Sequence, residues 1–314
     1  MEGKTAGAIA KELTAEGVPT PAGKNKWRAS TINSILQNEK YRGSALLQKC
    51  FTTDFLTKKQ KVNEGEVPQY YIEHSHEAII DPLEWDAVQD EIRRRKEIGR
   101  VYSGTSVFSA KLVCGDCGGW YEHKTWHSTD KYRTTIWRCN QKYSDGKCRC
   151  GTPVVTEEEI KDRFISAFNR IVSSKKSYIK ACKTAKQALT DTTAIDAEIA
   201  DLLREIEVVS EFTRKCIEKN SAVAQDQKEF NSRYNVYVEK YETVKERYDS
   251  LAVERERKTE KAKAIDRFIH TVESRDGLLT EFDPHLWLMT VEKVTITADG
   301  KMLFRFFDGT EISG

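Results

Sequence analysis

Apolar residues along the chain change their spacing several times, and each change marks an element. Ile9 and Leu13 stand four apart behind Thr5, which predicts a short capped helix from Thr5 to Glu16. Gly17 ends it, Pro19 and Pro21 extend the chain, and Ala22 to Lys26 make a basic turn before Trp27. A second helix then begins near Ser30, with Ile32, Ile35 and Leu36 on one face. Two short helices around a basic turn predict a helix-turn-helix unit, in which the start of the second helix enters the major groove. Lys24, Lys26, Arg28, Ser30, Thr31, Asn33, Ser34 and Arg42 are the candidates there for phosphate and base-edge contacts.

Residues 43–73 mix Leu46, Leu47, Phe51, Tyr70 and Ile72 with lysines, which predicts a small sheet or wing with a basic loop from Lys58 to Pro68. His74, His76 and Glu77 read as polar residues beside a turn. Asp81 followed by Pro82 starts a further helix, which runs to Arg93-Arg-Arg-Lys96. Gly99 to Ser106 reads as a basic linker laid along DNA, with Arg94, Arg95 and Arg100 as its contacts.

Farther on, Ile195, Ile199, Leu202, Ile206, Val209 and Cys216 follow 4-3 spacing, as do Phe230, Tyr234, Tyr237, Tyr241, Val244, Tyr248 and Leu251. Two such stretches around the polar segment from Glu218 to Gln227 predict a long antiparallel coiled coil, whose tip carries Asn220, Val223 and Ala224. A helix is predicted from Ala264 to Val272. Val291–Thr297 and Met302–Phe307, separated by Gly300, predict a β-hairpin.

Charge sharpens this reading. The net charge is only +2, yet residues 20–61 carry nine Lys/Arg against two acidic residues, and 93–149 carry thirteen against five. Positive charge concentrated on particular modules is the footprint of a polyanion binder, and double-stranded DNA is the expected partner. No apolar run is long enough to cross a membrane. With no signal-like start, the expected compartment is the cytoplasm.

Cysteines supply the chemistry. Cys114-Gly-Asp-Cys117 presents two thiolates on a tight turn, and Cys139 with Cys148 or Cys150 completes four soft ligands for one structural Zn2+. Cys148 and Cys150 have only Arg149 between them, so one is a bystander; Cys150 is the choice. Between the cysteine pairs, Lys124, His127, Lys131, Arg133 and Arg138 alternate with aromatic residues on what the pattern predicts to be short strands of a zinc ribbon, and these are further DNA-contact candidates.

The pattern from Thr5 to Gly43, including Gly17-Val-Pro-Thr-Pro and Trp27 to Leu36, resembles the recombinase domain of large serine recombinases. Phe108 to Gly119, Tyr132 to Cys139 and Cys150 to Ile160 resemble that family's zinc ribbon, and the resemblance also favours Cys150 as the last ligand. It implies an α+β multidomain protein: a recombinase domain at 1–98, a basic linker at 99–106, a zinc ribbon domain with a following helix at 107–190, an inserted antiparallel coiled coil at 191–262, and a return helix and β-hairpin at 263–314. It also implies reading of an attachment half-site and coiled-coil contact with other subunits, dimeric on DNA and tetrameric in synapsis, with a directionality factor as a further partner. In that family a catalytic domain precedes these modules. No serine here takes the nucleophile role, so the chain is expected to bind DNA without cutting it. A zinc-ribbon transcription regulator and a coiled-coil scaffold with nonspecific DNA affinity are the rival readings.

Overall fold

The computed structural model describes residues 3–54, 56–97, 106–143, 150–222 and 226–314. The chain divides into two compact units, residues 1–173 with 274–314, and residues 174–273.

The first unit opens with α1 (Ala6–Ala15), whose N-terminus is capped by the Thr5 hydroxyl accepting from the Ala8 amide at 3.2 Å. α2 (Ala29–Leu36) packs on it through buried Ala10 and Ile32. The intervening loop is pinned by Trp27, whose backbone amide donates to the Thr14 hydroxyl and whose indole donates to the Val18 carbonyl at 2.8 Å. Thr5→Ala is expected to lower the stability of this unit by about 1 kcal/mol through loss of the cap, measurable by urea denaturation.

A 3-10 turn (Glu39–Arg42) ends at Gly43, which has φ +86° and so close an approach to the His76 carbonyl that an added Cβ would lie 2.7 Å away. Glycine is therefore required at this corner. β1 (Ala45–Leu47) and β2 (Cys50–Asp54) follow, then β3 (Lys59–Val62) and β4 (Tyr70–Ile72), with β1 antiparallel to β4 and β2 to β3. Part of the basic segment expected as a loop after Lys58 is thus strand β3. His76 meets the Lys40 carbonyl at 2.6 Å, a packing role. α3 (Pro82–Glu97) begins at Pro82, and the Asp81 carboxylate accepts from the amides of Leu83 and Glu84. Gln89 ties α3 to α2 by donating to the Leu36 carbonyl at 2.8 Å.

The metal-ribbon region follows with β5 (Leu112–Cys114), β6 (Tyr121–Trp126), β7 (Thr134–Cys139) and β8 (Val155–Thr156), of which β6, β7 and β8 form one antiparallel sheet. α4 (Glu157–Ser173) buries Ile160, Phe164, Ala167, Phe168 and Ile171, an i, i+4, i+7, i+8, i+11 stripe.

The second unit is helical: α5 (Lys175–Thr190), α6 (Thr193–Ala222) and α7 (Gln227–Glu273). α6 and α7 run antiparallel, as ion pairs Asp196–Arg255 at 2.6 Å, Glu198–Arg247 at 2.7 Å and Glu205–Lys240 at 2.9 Å require. Phe212 and Tyr237 stack between them. The thirteen positions of the two 4-3 stretches are all buried or half-buried, whereas Leu203, Val208, Val236 and Val253 off those stretches are exposed. α5 packs on the C-terminal part of α7 through Tyr178–Phe268 and the ion pair Lys186–Asp266. Two boundaries differ from the sequence expectation. Ala264–Val272 is a continuation of α7, since no glycine or proline interrupts residues 227–273, and α5 groups with the helical unit.

The chain returns to the first unit with α8 (Pro284–Thr290), capped by Asp283, and then β9 (Val291–Ile296), β10 (Met302–Phe306) and β11 (Glu311–Ser313). These strands join β5 in a sheet of order β11-β10-β9-β5, with β5 parallel to β9. Its core is aromatic. Trp287 is fully buried and contacts the rings of Phe108, Phe164, Phe282 and Phe304.

Candidate metal centre and basic surface

Strand pairing brings the four thiols together. β5 delivers Cys114, and the following turn is closed by the Gly118 amide donating to the Cys114 carbonyl at 2.9 Å. Gly115 donates to the Ile296 carbonyl at 2.8 Å, and a Cβ there would sit 2.9 Å from that oxygen. The return strand β9 therefore seats the first cysteine pair, although some 180 residues separate them. β7 delivers Cys139, and Cys150 is held beside it by Gly151, whose amide donates to Asp116 Oδ2 at 2.7 Å.

The Sγ atoms of Cys114, Cys117, Cys139 and Cys150 lie within 4.8 Å of one another. Cys117–Cys139 is 3.4 Å and Cys139–Cys150 is 3.8 Å. Those spacings exceed a disulfide and match the roughly 3.8 Å edge of a tetrahedron with metal–sulfur bonds of about 2.3 Å. Three of the four thiols are buried. Cys148 lies outside the described residues.

Acidities fit the same conclusion. Burial pushes the Cys114 thiol up, but the Thr152 hydroxyl at 3.2 Å and the backbone amides of Cys117 and Asp116 outweigh it, bringing Cys114 down to about 7. Burial drives Cys139 up to about 11, and the Cys117 thiol together with burial drives Cys150 higher still. One thiolate forms readily while its neighbours resist a second and third negative charge. A divalent cation relieves that resistance, so metal binding releases protons and weakens as pH falls. The donor set of four thiols suits a closed structural metal site with no position for a reacting water.

The basic candidates fall into two groups. Lys24, Lys26, Arg28 and Ser30 are exposed and Thr31 is half-buried, in the loop before α2 and its first turn, while the exposed Asn33 and Ser34 lie in its second half, where Ser34 also donates to the Ser30 carbonyl. On the ribbon, His127, Lys131 and Arg133 are exposed at the β6–β7 turn beside Trp126 and Tyr132, which are 50% and 64% accessible. His127 meets Asp130 at 3.0 Å, and Lys131 lies over the Tyr132 ring. Lys124 pairs with Glu122 and Arg138 lies over Tyr143, leaving both half-exposed.

The second group is engaged by protein. Arg42 pairs with Asp86 at 3.0 Å and donates to the Tyr71 hydroxyl. Arg94 and Arg95 share Glu91 and also donate to the carbonyls of Ala110 and Gly3. Sequence cannot separate these from surface cations, because their acidic partners Asp86 and Glu91 lie on α3, a helix that also carries exposed charge. Arg100 lies outside the described residues, as do most of the linker and the tip residues Val223 and Ala224; Asn220 is half-buried near the end of α6.

Sequence reasoning also missed Lys111. Its side chain is fully buried, donates to the Val291 carbonyl and stands over the Phe307 ring at 5.2 Å. Burial pulls its pKa down to about 7, against the attraction of Glu91. The folded protein thus binds fewer protons here than the unfolded chain between about pH 7 and 10.5, so this group's penalty is full below pH 7 and fades as pH rises. Lys111→Met is expected to stabilise the protein by about 1–2 kcal/mol at pH 6, with the gain shrinking towards pH 10. Thermal melts of both proteins across that range check the sign.

An α/β module with an exposed basic helix start, followed by a four-thiol β-ribbon, defines a two-module metal-ribbon protein. Residues 1–95 match the family model Recombinase, and residues 107–169 match the Recombinase zinc beta ribbon domain, so the chain carries recombinase-family domains in both modules. It is 25% identical, over an alignment of 319 residues, to the uncharacterized protein YefB of Bacillus subtilis (strain 168), with 94% of this chain and 98% of the relative covered. It is also similar to a chain in a crystal structure of a LSR-DNA complex, at 14% identity and TM-score 0.35, over 95% of this chain and 78% of that one. Among the described residues no helix is long and apolar enough to cross a membrane.

Proposed function

We propose that this chain is a sequence-specific DNA-binding component of large serine recombinase type, in which the recombinase domain and the zinc ribbon each read one block of an attachment half-site in duplex DNA. The observation that carries the reading is the succession, in one chain, of a recombinase domain and a recombinase zinc ribbon with a complete four-cysteine cluster. One Zn2+ held by Cys114, Cys117, Cys139 and Cys150 would fix the ribbon and take no part in chemistry. Lys24, Lys26 and Arg28 would meet phosphates around the start of α2, a helix-turn-helix placement in which Arg28, Ser30 and Asn33 face the major groove. The ribbon tip would add Lys131, Arg133 and His127, with Trp126 and Tyr132 covering sugar and base edges.

The antiparallel pair α6–α7 is read as a coiled coil that reaches a second subunit, giving a dimer on DNA and a tetramer in synapsis. α7 alone is about 70 Å long at 1.5 Å per residue, enough to place a contact far from its own half-site. Strand cleavage is assigned to none of these residues.

The test is a fluorescence-anisotropy titration of the zinc-loaded chain against random-sequence 40-base-pair duplexes over a salt series, with native gels for bridged species. Several phosphate contacts require log K to fall linearly with log salt by several units. A flat salt dependence would remove the DNA reading, and bridged complexes that survive deletion of α6–α7 would remove the synapsis reading.

A further inference from the structure

The four thiols of the metal cluster differ in how far solvent reaches them. Cys114, Cys139 and Cys150 are buried, whereas Cys117 is exposed on a turn with Gly115, Asp116 and Gly118. Gly118 has a φ of +69° and open space where a Cβ would point, so no neighbouring segment covers the turn there. The other three thiols are enclosed by protein. Cys114 Sγ meets the hydroxyl of fully buried Thr152 at 3.2 Å, Cys139 follows buried Ile136 and Trp137 on β7, and Cys150 leads into the Gly151–Asp116 hydrogen bond. Cys117 Sγ accepts from the Gly119 amide at 3.4 Å and lies 3.4 Å from Cys139 Sγ.

An open thiol with a second, buried thiol in contact with it is the arrangement that forms a disulfide on oxidation. A bound Zn2+ keeps its cysteines as thiolates, the form that attacks peroxides. With all four in that form, access decides which reacts first, and a small dissolved oxidant meets Cys117 before the others. Cys139 then needs to close only from 3.4 Å to about 2 Å to make a sulfur–sulfur bond. Cys50, also exposed, is not a member of the cluster and serves as an internal comparison.

We propose that Cys117 is an oxidation site for hydrogen peroxide, with Cys139 as its partner thiol, so that oxidation strips the ribbon of its metal and of its hold on DNA. The Cys117 sulfur attacks one peroxide oxygen; an S–O bond forms, the O–O bond breaks and hydroxide leaves. Cys117 is thereby oxidised to a sulfenic acid while the peroxide is reduced. The Cys139 thiolate then attacks the Cys117 sulfur; the S–S bond forms, the S–O bond breaks and a second hydroxide leaves. Each hydroxide takes a proton from solvent, so a pair of thiolates, one peroxide and a pair of protons become one disulfide and a pair of waters. Cys114 and Cys150 remain, too few for a closed four-ligand site. The anchor of Gly115 on the Ile296 carbonyl uses no sulfur, so the damage is local, and a dithiol with added zinc reverses it. The effect on DNA rests on the proposed reading of the ribbon as a DNA module; the oxidation itself does not.

The chemistry is tested without DNA on the full zinc-loaded chain, freed of reductant and treated with hydrogen peroxide. Zinc release is followed with a chromophoric chelator, and the modified cysteines are mapped by peptide mass spectrometry. With dimedone present to trap sulfenic acid, the first adduct in the cluster is expected on Cys117; without it, a Cys117–Cys139 disulfide should accumulate with about one zinc released per disulfide. Cys50→Ser/Cys216→Ser should release zinc at the wild-type rate. A first adduct on Cys114, Cys139 or Cys150 overturns the proposal, as does a disulfide joining any other pair. So does zinc that stays bound after Cys50 is fully oxidised.

The consequence is tested by titrating duplex DNA with the oxidised chain and with the same sample after dithiothreitol and zinc. Oxidation should weaken binding about tenfold or more, as the ribbon's share of the contacts is lost, and reduction with zinc should restore it. Equal affinity before and after oxidation overturns the link to DNA. Absence of DNA binding in the untreated chain would sink the functional reading and leave the trapping and zinc measurements to judge the oxidation site.

Discussion

Cys139→Ser is expected to remove stoichiometric zinc and to unfold the ribbon turns while the module of residues 3–97 stays folded. Cys139 is buried and lies 3.4 and 3.8 Å from two of its partner thiols, so its loss opens the site from the inside. Binding of a structural zinc is worth about 10–16 kcal/mol in zinc-finger peptides, far more than the short β6–β7 hairpin could recover by packing. Breakdown should remain local. The aromatic core around Trp287 draws on α4, α8 and β10 and is expected to hold without the metal, whereas the turns that carry the four cysteines are expected to depend on it. Metal analysis and mapping of protease cleavage sites check this; a variant that keeps one zinc per chain and shows no new cleavage in those turns would refute the assignment of the four ligands.

Lys24→Ala/Lys26→Ala/Arg28→Ala is expected to weaken DNA binding on the order of a hundredfold at physiological salt and to lower the salt slope by about 2.7, at roughly 0.9 per lost phosphate contact. The three side chains are exposed, precede α2 and carry no ion pair among the described contacts, so removing them costs the fold little. Arg94→Met/Arg95→Met provides the contrast. Those arginines serve Glu91, Ala110 and Gly3, so their loss should reduce stability and leave the salt slope nearly unchanged. Slopes that fall equally in both variants would place the end of α3 on the DNA.

Much of this was legible because local rules and global fold agree. Thr5 and Asp81 signal helix starts by chemistry that needs no tertiary context, and both cap the helices that follow them. The Cys-x-x-Cys turn with Cys139 and Cys150 announces a common site through ligand type and spacing, and the four sulfurs meet. The two 4-3 stretches identify the less exposed side of α6 and α7 because helix periodicity fixes which residues can share a face.

What escaped the sequence depends on distant partners. The parallel pairing of β5 with β9 joins Leu112–Cys114 to Val294–Ile296, and no local pattern encodes an alignment across the helical unit. Arg94 and Arg95 read as DNA contacts and Lys111 is not marked by any local pattern, since burial of a lysine is decided by what Val291, Phe307 and Glu91 bring to it. The helix predicted from Ala264 to Val272 is the last stretch of α7. There α7 changes partner from α6 to α5, and a helix that changes partner need not stop.

The most direct test of the central claim is selection of bound duplexes from a random pool by the zinc-loaded chain at near-physiological salt, followed by footprinting of the enriched sequences. The account predicts an asymmetric site longer than one helical turn with two separately protected blocks, the ribbon block disappearing with Cys139→Ser. Recovery of no enriched sequence, or of one short block indifferent to that substitution, would contradict it.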